Sequence, residues 1–70
     1  MSPRGLWIKF NEIFPYLVRY TKSYKSMNGD NRSIQITMTD NNVIIFTYYR
    51  DGNYRIMSSG RVKIYEEAND

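Results

Sequence analysis

The 70-residue sequence contains no histidine and no cysteine. The chain therefore has no imidazole to act as a general base near neutral pH, no thiolate nucleophile, no imidazole or thiolate metal ligand and no disulfide. It also has no glycine-rich phosphate loop, and its seven acidic residues fall in predicted turns, near a predicted helix start or in the last five positions. These absences predict a protein that is not an enzyme and has no catalytic residue, no metal site and no cofactor.

Long apolar runs are also missing. No run approaches the ~20 residues of a membrane-spanning helix, and the N-terminus lacks the apolar region and cleavage site of a signal peptide. Together with the lack of cysteine, this predicts a cytoplasmic protein with no membrane partner. The hydrophobic content of 41% and charged content of 24% are typical of a globular chain, predicted as a single domain over residues 1–70. A core of this size is marginal, and a homodimer would enlarge it.

The second half of the chain has the pattern of four β-strands. Apolar and polar residues alternate, or β-branched and aromatic residues cluster, between turns rich in Asp, Asn, Ser and Gly. The predicted strands cover about 33–39, 43–50, 54–58 and 61–65, and residues 66–70 are predicted to be a frayed acidic tail.

The first half predicts one helix over about 11–26. Apolar side chains recur there at helical spacing, Asn11 is a good N-cap, and Pro15 is tolerated in a first turn. Residues 6–10 are left open between a leading strand and an arm that folds over the sheet. The predicted fold class is α+β, with an N-terminal helix packed on a four-stranded antiparallel β-meander in two layers.

Strand parity predicts two different sheet faces. If each turn is a three-residue loop, with Asn42, Asn53 and Gly60 in the left-handed conformation, residues of the same parity share a face. We call the side that holds the even-numbered strand residues the even face and the opposite side the odd face. The even face is nearly all apolar and suits the helix; it comprises Ile34, Ile36, Met38, Ile44, Phe46, Tyr48, Tyr54, Ile56, Val62 and Ile64. The odd face comprises Gln35, Thr37, Val43, Ile45, Thr47, Tyr49, Arg55, Met57, Arg61, Lys63 and Tyr65.

The odd face is the candidate binding surface, because it mixes apolar, tyrosine and cationic side chains that are enriched at protein interfaces. This surface predicts a non-enzymatic modulator or inhibitor that acts by contacting another protein. If the chain comes from a virus, that partner is a macromolecule of the host. The predicted partner-binding residues are Ile45, Tyr49, Arg55, Met57, Lys63 and Tyr65. The Asn-, Tyr-, Ile- and Lys-leaning composition is similar to that of AT-rich genomes, including many viruses of bacteria, whose small proteins often act in this way.

Two alternatives stay open at this stage. Rings interleaved with cations on a sheet also suit a nucleic acid, with bases stacking on tyrosine and phosphates meeting cations. The predicted phosphate-binding residues are Lys22, Lys25 and Arg61, and Arg19 and Arg32 could join the two lysines in one basic end of the helix. The plainer interpretation is a solvated sheet face, since Tyr, Thr, Arg and Lys are common on exposed strands.

Overall fold

An N-terminal helix lies on one face of a four-stranded antiparallel sheet, which is the predicted two-layer α+β fold. The structure is a computed structural model that describes residues 1–27 and 29–59. In chain order the elements are the helix α1 (Pro3–Ile13), a 3-10 helix (Pro15–Tyr20), and the strands β1 (Thr21–Met27), β2 (Asp30–Met38), β3 (Val43–Tyr48) and β4 (Tyr54–Ser58). Each strand pairs with the next one along the chain, so the sheet order is β1-β2-β3-β4.

Helix α1 begins at a well-formed cap. The Ser2 hydroxyl accepts a hydrogen bond from the Gly5 backbone N–H at 3.0 Å, which satisfies one of the free donors of the first turn. Pro3 occupies the start of the helix, where its missing N–H is not needed. Leu6 and Phe10 are four residues apart, so both point to the same side of α1, and both are fully buried.

The helix predicted over 11–26 is wrong in position. Proline disfavours helical conformation in the residue before it, and Phe14, just ahead of Pro15, has φ −124° and ψ 60°. The chain therefore leaves α1 at Ile13, forms the 3-10 helix, and extends into β1 from Thr21. The open question about residues 6–10 is resolved by the same observation, because they lie inside α1.

Three predicted strands coincide with β2, β3 and β4, whereas β1 was not predicted as a strand. Its hairpin to β2 is short: Met27 pairs with Asp30, and Gly29 has a φ of 76°. An Asn-Gly pair, here Asn28-Gly29, is a strong signal for a two-residue hairpin. The predicted strand 61–65 and acidic tail 66–70 lie outside the described residues, as does Gly60.

The other two turns have the predicted length of three residues, but they cover 39–41 and 50–52 and so begin one residue earlier than predicted. The Met38 N–H donates to the Asn42 carbonyl at 2.8 Å, and the Tyr49 N–H donates to the Asn53 carbonyl at 2.8 Å. The left-handed residue is the last one inside each loop, as this loop type requires, so it comes one position earlier than predicted. The two residues with positive φ are Asn41 at 70° and Gly52 at 91°.

The predicted parity of the strands holds in β2, β3 and β4, because Ile34 pairs with Phe46, and Ile44 with Ser58. The even face carries the core that α1 covers; Phe10 and Phe46 meet edge to face at 5.5 Å between ring centroids. The buried core consists of Leu6, Phe10, Leu17, Ile34, Ile36, Met38, Ile44 and Phe46. Tyr48 and Ile56 pack against it partly buried, Tyr54 is 47% exposed, and Val62 and Ile64 lie outside the described residues.

Candidate functional site

The odd face presents its side chains in cross-strand rows. The strand register places Lys25 opposite Gln35, Gln35 opposite Ile45, and Ile45 opposite Met57. These four residues form the central row, one from each strand. The rows on either side are Ser23, Thr37 and Val43 on one side, and Ser33, Thr47 and Arg55 on the other.

The apolar part of this surface is open to solvent. Met57 is 50% exposed, and its partner Ile45 is half-buried. Both helices place their buried side chains in the even-face core instead. Trp7 belongs to the even face as well, since its ring stacks on that of Tyr24 at 4.8 Å. The alternative that residues 6–10 fold over the odd face is therefore wrong.

Hydrogen bonds hold the polar part of the odd face in place. The Ser33 and Thr47 hydroxyls are 2.8 Å apart across β2 and β3, and Ser33 is buried. At the other side, the Val43 backbone N–H donates to the Ser59 hydroxyl at 2.9 Å. A surface built on paired strands and fixed by such bonds changes little when a partner binds.

The charge of the odd face has one sign within the described residues. The charged side chains at odd-numbered strand positions of residues 1–27 and 29–59 are Lys25 and Arg55, and both are exposed. Lys25 stands at the β1 end of the central row. Arg55 precedes Met57 by two positions on β4 and pairs with Thr47. The apolar centre is thus flanked by two cations.

The structure brings some of the predicted binding residues together. Ile45, Met57 and Arg55 are neighbours on β3 and β4. Tyr49 follows directly after β3, at the turn into β4, and is half-buried. Lys63, Tyr65 and Arg61 lie outside the described residues.

The prediction that these cations share one basic end of a helix is wrong. Lys22 and Lys25 lie in β1, and Lys22 sits at an irregularity of the β1-β2 register between Thr21 and Ser23. Arg19 and Arg32 lie at opposite ends of the sheet. The carbonyl of Tyr20, next to Arg19, accepts from the Thr39 N–H at 2.7 Å, whereas Arg32 is near the start of β2. The cations do not form one cluster because they are spread over the 3-10 helix, β1 and β2 and do not share one end of a helix.

Sequence reasoning missed Ser23, Lys25 and Ser33 as residues of the odd face. The signal that could have found the first two is Asn28-Gly29. Read as a hairpin turn, it makes the preceding segment a strand, but the turn alone would pair Lys25 with Arg32. The register shift between Ser26 and Met27 is what places Lys25 opposite Gln35 and Ser23 opposite Thr37.

All three tyrosines of the described strands are on the even face. Tyr24 stacks on Trp7, the Lys9 ammonium lies 5.3 Å from the centre of the Tyr48 ring, and Tyr54 meets Phe14 edge to face at 5.4 Å. Tyr49 is consequently the only tyrosine at an odd position between residues 29 and 59. A platform for stacked bases would need several rings on this side.

Lys9 forms an ion pair with Glu12, one helical turn further along α1. Its ammonium lies 3.1 Å from the Glu12 carboxylate. The hydrogen bond to Glu12, followed by the charge of that carboxylate, raises the pKa of Lys9 above its ordinary value. This pair is on the helix side of the molecule, away from the odd face.

In residues 1–27 and 29–59, no three Asp or Glu side chains are grouped as metal ligands. Neither helix in these ranges has the length and apolarity to cross a membrane. Comparisons with protein-family models, curated proteins and solved structures gave no match to this chain.

Proposed function

We propose that this protein is a small binding protein that modulates or inhibits another protein through its odd face. The observation that carries the proposal is the Ile45–Met57 pair at the centre of that face, with Met57 half exposed. An exposed apolar centre with polar and cationic surroundings is typical of protein contact sites.

The charges favour one kind of partner. Lys25 and Arg55 flank the apolar centre, so the complementary surface carries an apolar patch with carboxylates around it. Face-to-face packing with a second copy would bring cations of the same sign together, which disfavours a homodimer through this face.

A nucleic acid is the second candidate. The two cations favour it, because each could meet a phosphate. Tyr49 alone supplies a ring on the described odd face, and the central row is occupied by Gln35, Ile45 and Met57. These neutral and apolar side chains support a protein partner over stacked bases.

The test is cross-linking capture in cells of the source organism with four forms of the chain. The wild type is compared with Met57→Ser, Arg55→Glu and the control Ile8→Ser. Ile8 is 47% exposed on α1, so the control removes a similar apolar surface from the other side. We expect one protein that the wild type and the Ile8 variant retain and that the two odd-face variants lose.

Other outcomes contradict the proposal. If the Ile8 variant loses the protein as completely as the Met57 variant, the contact does not use the odd face. If no protein is retained and the wild type instead binds oligonucleotides with an affinity that falls steeply with salt, the second candidate replaces the first. A dimeric mass in solution that Met57→Ser converts to a monomer would mean that the partner is a second copy.

A further inference from the structure

The outer side of strand β1 is a second surface of the molecule. Within the described residues β1 has β2 as its only neighbour in the sheet, so the other side of the strand has no partner strand there. A strand edge of this kind offers backbone N–H and C=O groups to an added strand. The edge is distinct from the Ile45–Met57 pair, which lies on β3 and β4.

A hydrogen bond shows which backbone groups of β2 point towards β1. The Met38 N–H donates to the Asn42 carbonyl at 2.8 Å, so the backbone groups of Met38 point towards β3. Backbone groups alternate in direction along a strand. Those of Thr37 and Gln35 therefore point towards β1.

The same alternation identifies the outward groups of β1. Ser23 and Lys25 pair with these two residues of β2, so their backbone groups face into the sheet. Tyr24 and Ser26 alternate with them, and their N–H and C=O groups face outwards. Register shifts lie on either side of the stretch from Ser23 to Ser26, so this stretch is the regular part of the edge.

The edge carries positive charge. Lys22 and Lys25 are both exposed on β1, and neither forms an ion pair with a carboxylate among the described side chains. Lys25 lies on the odd face, where Ser23 is also exposed. A second copy of β1 would bring lysines together, so the charges disfavour self-pairing and favour an acidic strand.

The even side of the same edge is aromatic. The Tyr24 ring is half-buried and stacks on the half-buried Trp7 ring at 4.8 Å. Rings that stay partly exposed offer contact area to an apolar side chain. The side chains of an added strand alternate between the two faces. Its acidic side chains would therefore meet Lys25, and its apolar side chains would meet the Tyr24 ring.

We propose that β1 binds an extended segment of a partner protein in which acidic and apolar residues alternate. The segment adds an antiparallel strand to the sheet, bonds to the outward backbone groups of Tyr24 and Ser26, and places a carboxylate beside Lys25. The inference does not depend on contact through the Ile45–Met57 pair, although Lys25 belongs to both surfaces.

The test is a titration of the full chain with a soluble peptide of alternating glutamate and valine, followed by NMR and by amide hydrogen exchange. In the free chain we expect the amide protons of Tyr24 and Ser26 to exchange rapidly, because their N–H groups face outwards. Saturating peptide should slow the exchange of both by about tenfold or more.

The backbone bonds are tested with two modified peptides. In an antiparallel pair the residue opposite Tyr24 points its own N–H towards β1, and in the proposed register that residue is a valine. N-methylation of the valines should therefore weaken binding by at least about tenfold, whereas N-methylation of the glutamates should be tolerated. This comparison leaves the protein unchanged, so it does not depend on the folding of a variant.

The charge is tested with two variants. Lys25→Glu should weaken binding of the unmodified peptide by about tenfold, because an attraction becomes a repulsion. Arg50→Glu is the matched control, since it reverses the charge of an exposed residue outside β1, in the turn between β3 and β4. It should change binding by no more than about twofold. Retained dispersion of the amide resonances shows that each variant is folded.

Four results would overturn the proposal. An equal loss with Arg50→Glu would mean general charge attraction, and equal binding of the two N-methylated peptides would mean that no strand is added at this edge. Slow exchange of the Tyr24 and Ser26 amides in the free chain would mean that the chain itself or a second copy already occupies the edge. The absence of saturable shifts in β1 would exclude binding of this class of segment.

Discussion

Truncation of Phe10 tests the packing of α1 on the sheet most directly. The side chain is fully buried, and its ring centroid lies 5.3 Å from that of Phe14 and 5.5 Å from that of Phe46. Replacing a buried phenylalanine by alanine costs about 3–5 kcal/mol, from lost burial and the cavity left behind. A chain of this length is stable by roughly 3.5–10 kcal/mol, at about 0.05–0.15 kcal/mol per residue. We therefore expect Phe10→Ala to remove about a third or more of the free energy of unfolding.

The assay is urea unfolding followed by the fluorescence of the single tryptophan, Trp7. Its ring stacks on Tyr24 at 4.8 Å in the folded chain, so unfolding exposes it. Phe10→Leu keeps an apolar side chain and loses mainly the ring pairs, at about 0.5–1.5 kcal/mol each beyond burial. It provides a measurable value if Phe10→Ala does not fold.

Ile8→Ala is the control on the same helix. Ile8 is 47% exposed, and its truncation should change the free energy of unfolding by no more than about 0.5 kcal/mol. If Phe10→Ala and Ile8→Ala unfolded at the same urea concentration, α1 would not be held to the sheet through Phe10, and this reasoning would be refuted.

Two further predictions concern a turn and an ion pair. Gly52→Ala should lower the free energy of unfolding by about 1 kcal/mol, because alanine is strained at the φ of 91° found there. The control is Asn41→Gly at the equivalent position of the other loop, which should change the free energy of unfolding by only about a few tenths of a kcal/mol. If urea unfolding showed the same loss for both variants, the assigned turn would be contradicted. The pKa of Lys9 is raised in the folded chain, because the charged form pairs with Glu12. The pair therefore stabilises the fold fully at pH values below the pKa that Lys9 has in the unfolded chain, and this stabilisation is lost as the pH rises through the pKa of Lys9 in the folded chain. Glu12→Gln should shift the Lys9 pKa back towards its ordinary value in an NMR titration of the side-chain amine, and no shift would show that another group raises it.

The sheet was predictable in large part because its signals are local. Alternation from Ser33 to Met38, and the Asp40 and Asp51 turns, fix both loop length and parity without reference to the rest of the chain. The carboxylate of Asp40 accepts from the Asn42 N–H at 3.0 Å, and that of Asp51 from the Asn53 N–H at 3.0 Å. These bonds span two residues, so the sequence alone carries them.

The position of the helix was mispredicted because two signals competed. Apolar residues from Ile13 to Tyr20 continue the helical spacing, yet Pro15 interrupts it, and Ser2-Pro3 is the stronger start. Tyr24 fits either a helix or a strand by itself. Its stacking on Trp7, 17 positions earlier in the chain, is a tertiary contact that the pattern of a single segment does not reveal.

The sequence by itself determined the two hairpins that join β2, β3 and β4, the separation of apolar from polar strand residues and the apolar centre of the odd face, since these depend on neighbours a few positions apart. Tertiary structure decided which segment became the first strand and which face α1 covers. Those features require residues far apart in the chain to meet. That meeting is decided by the burial of Leu6 and Phe10 against the even face.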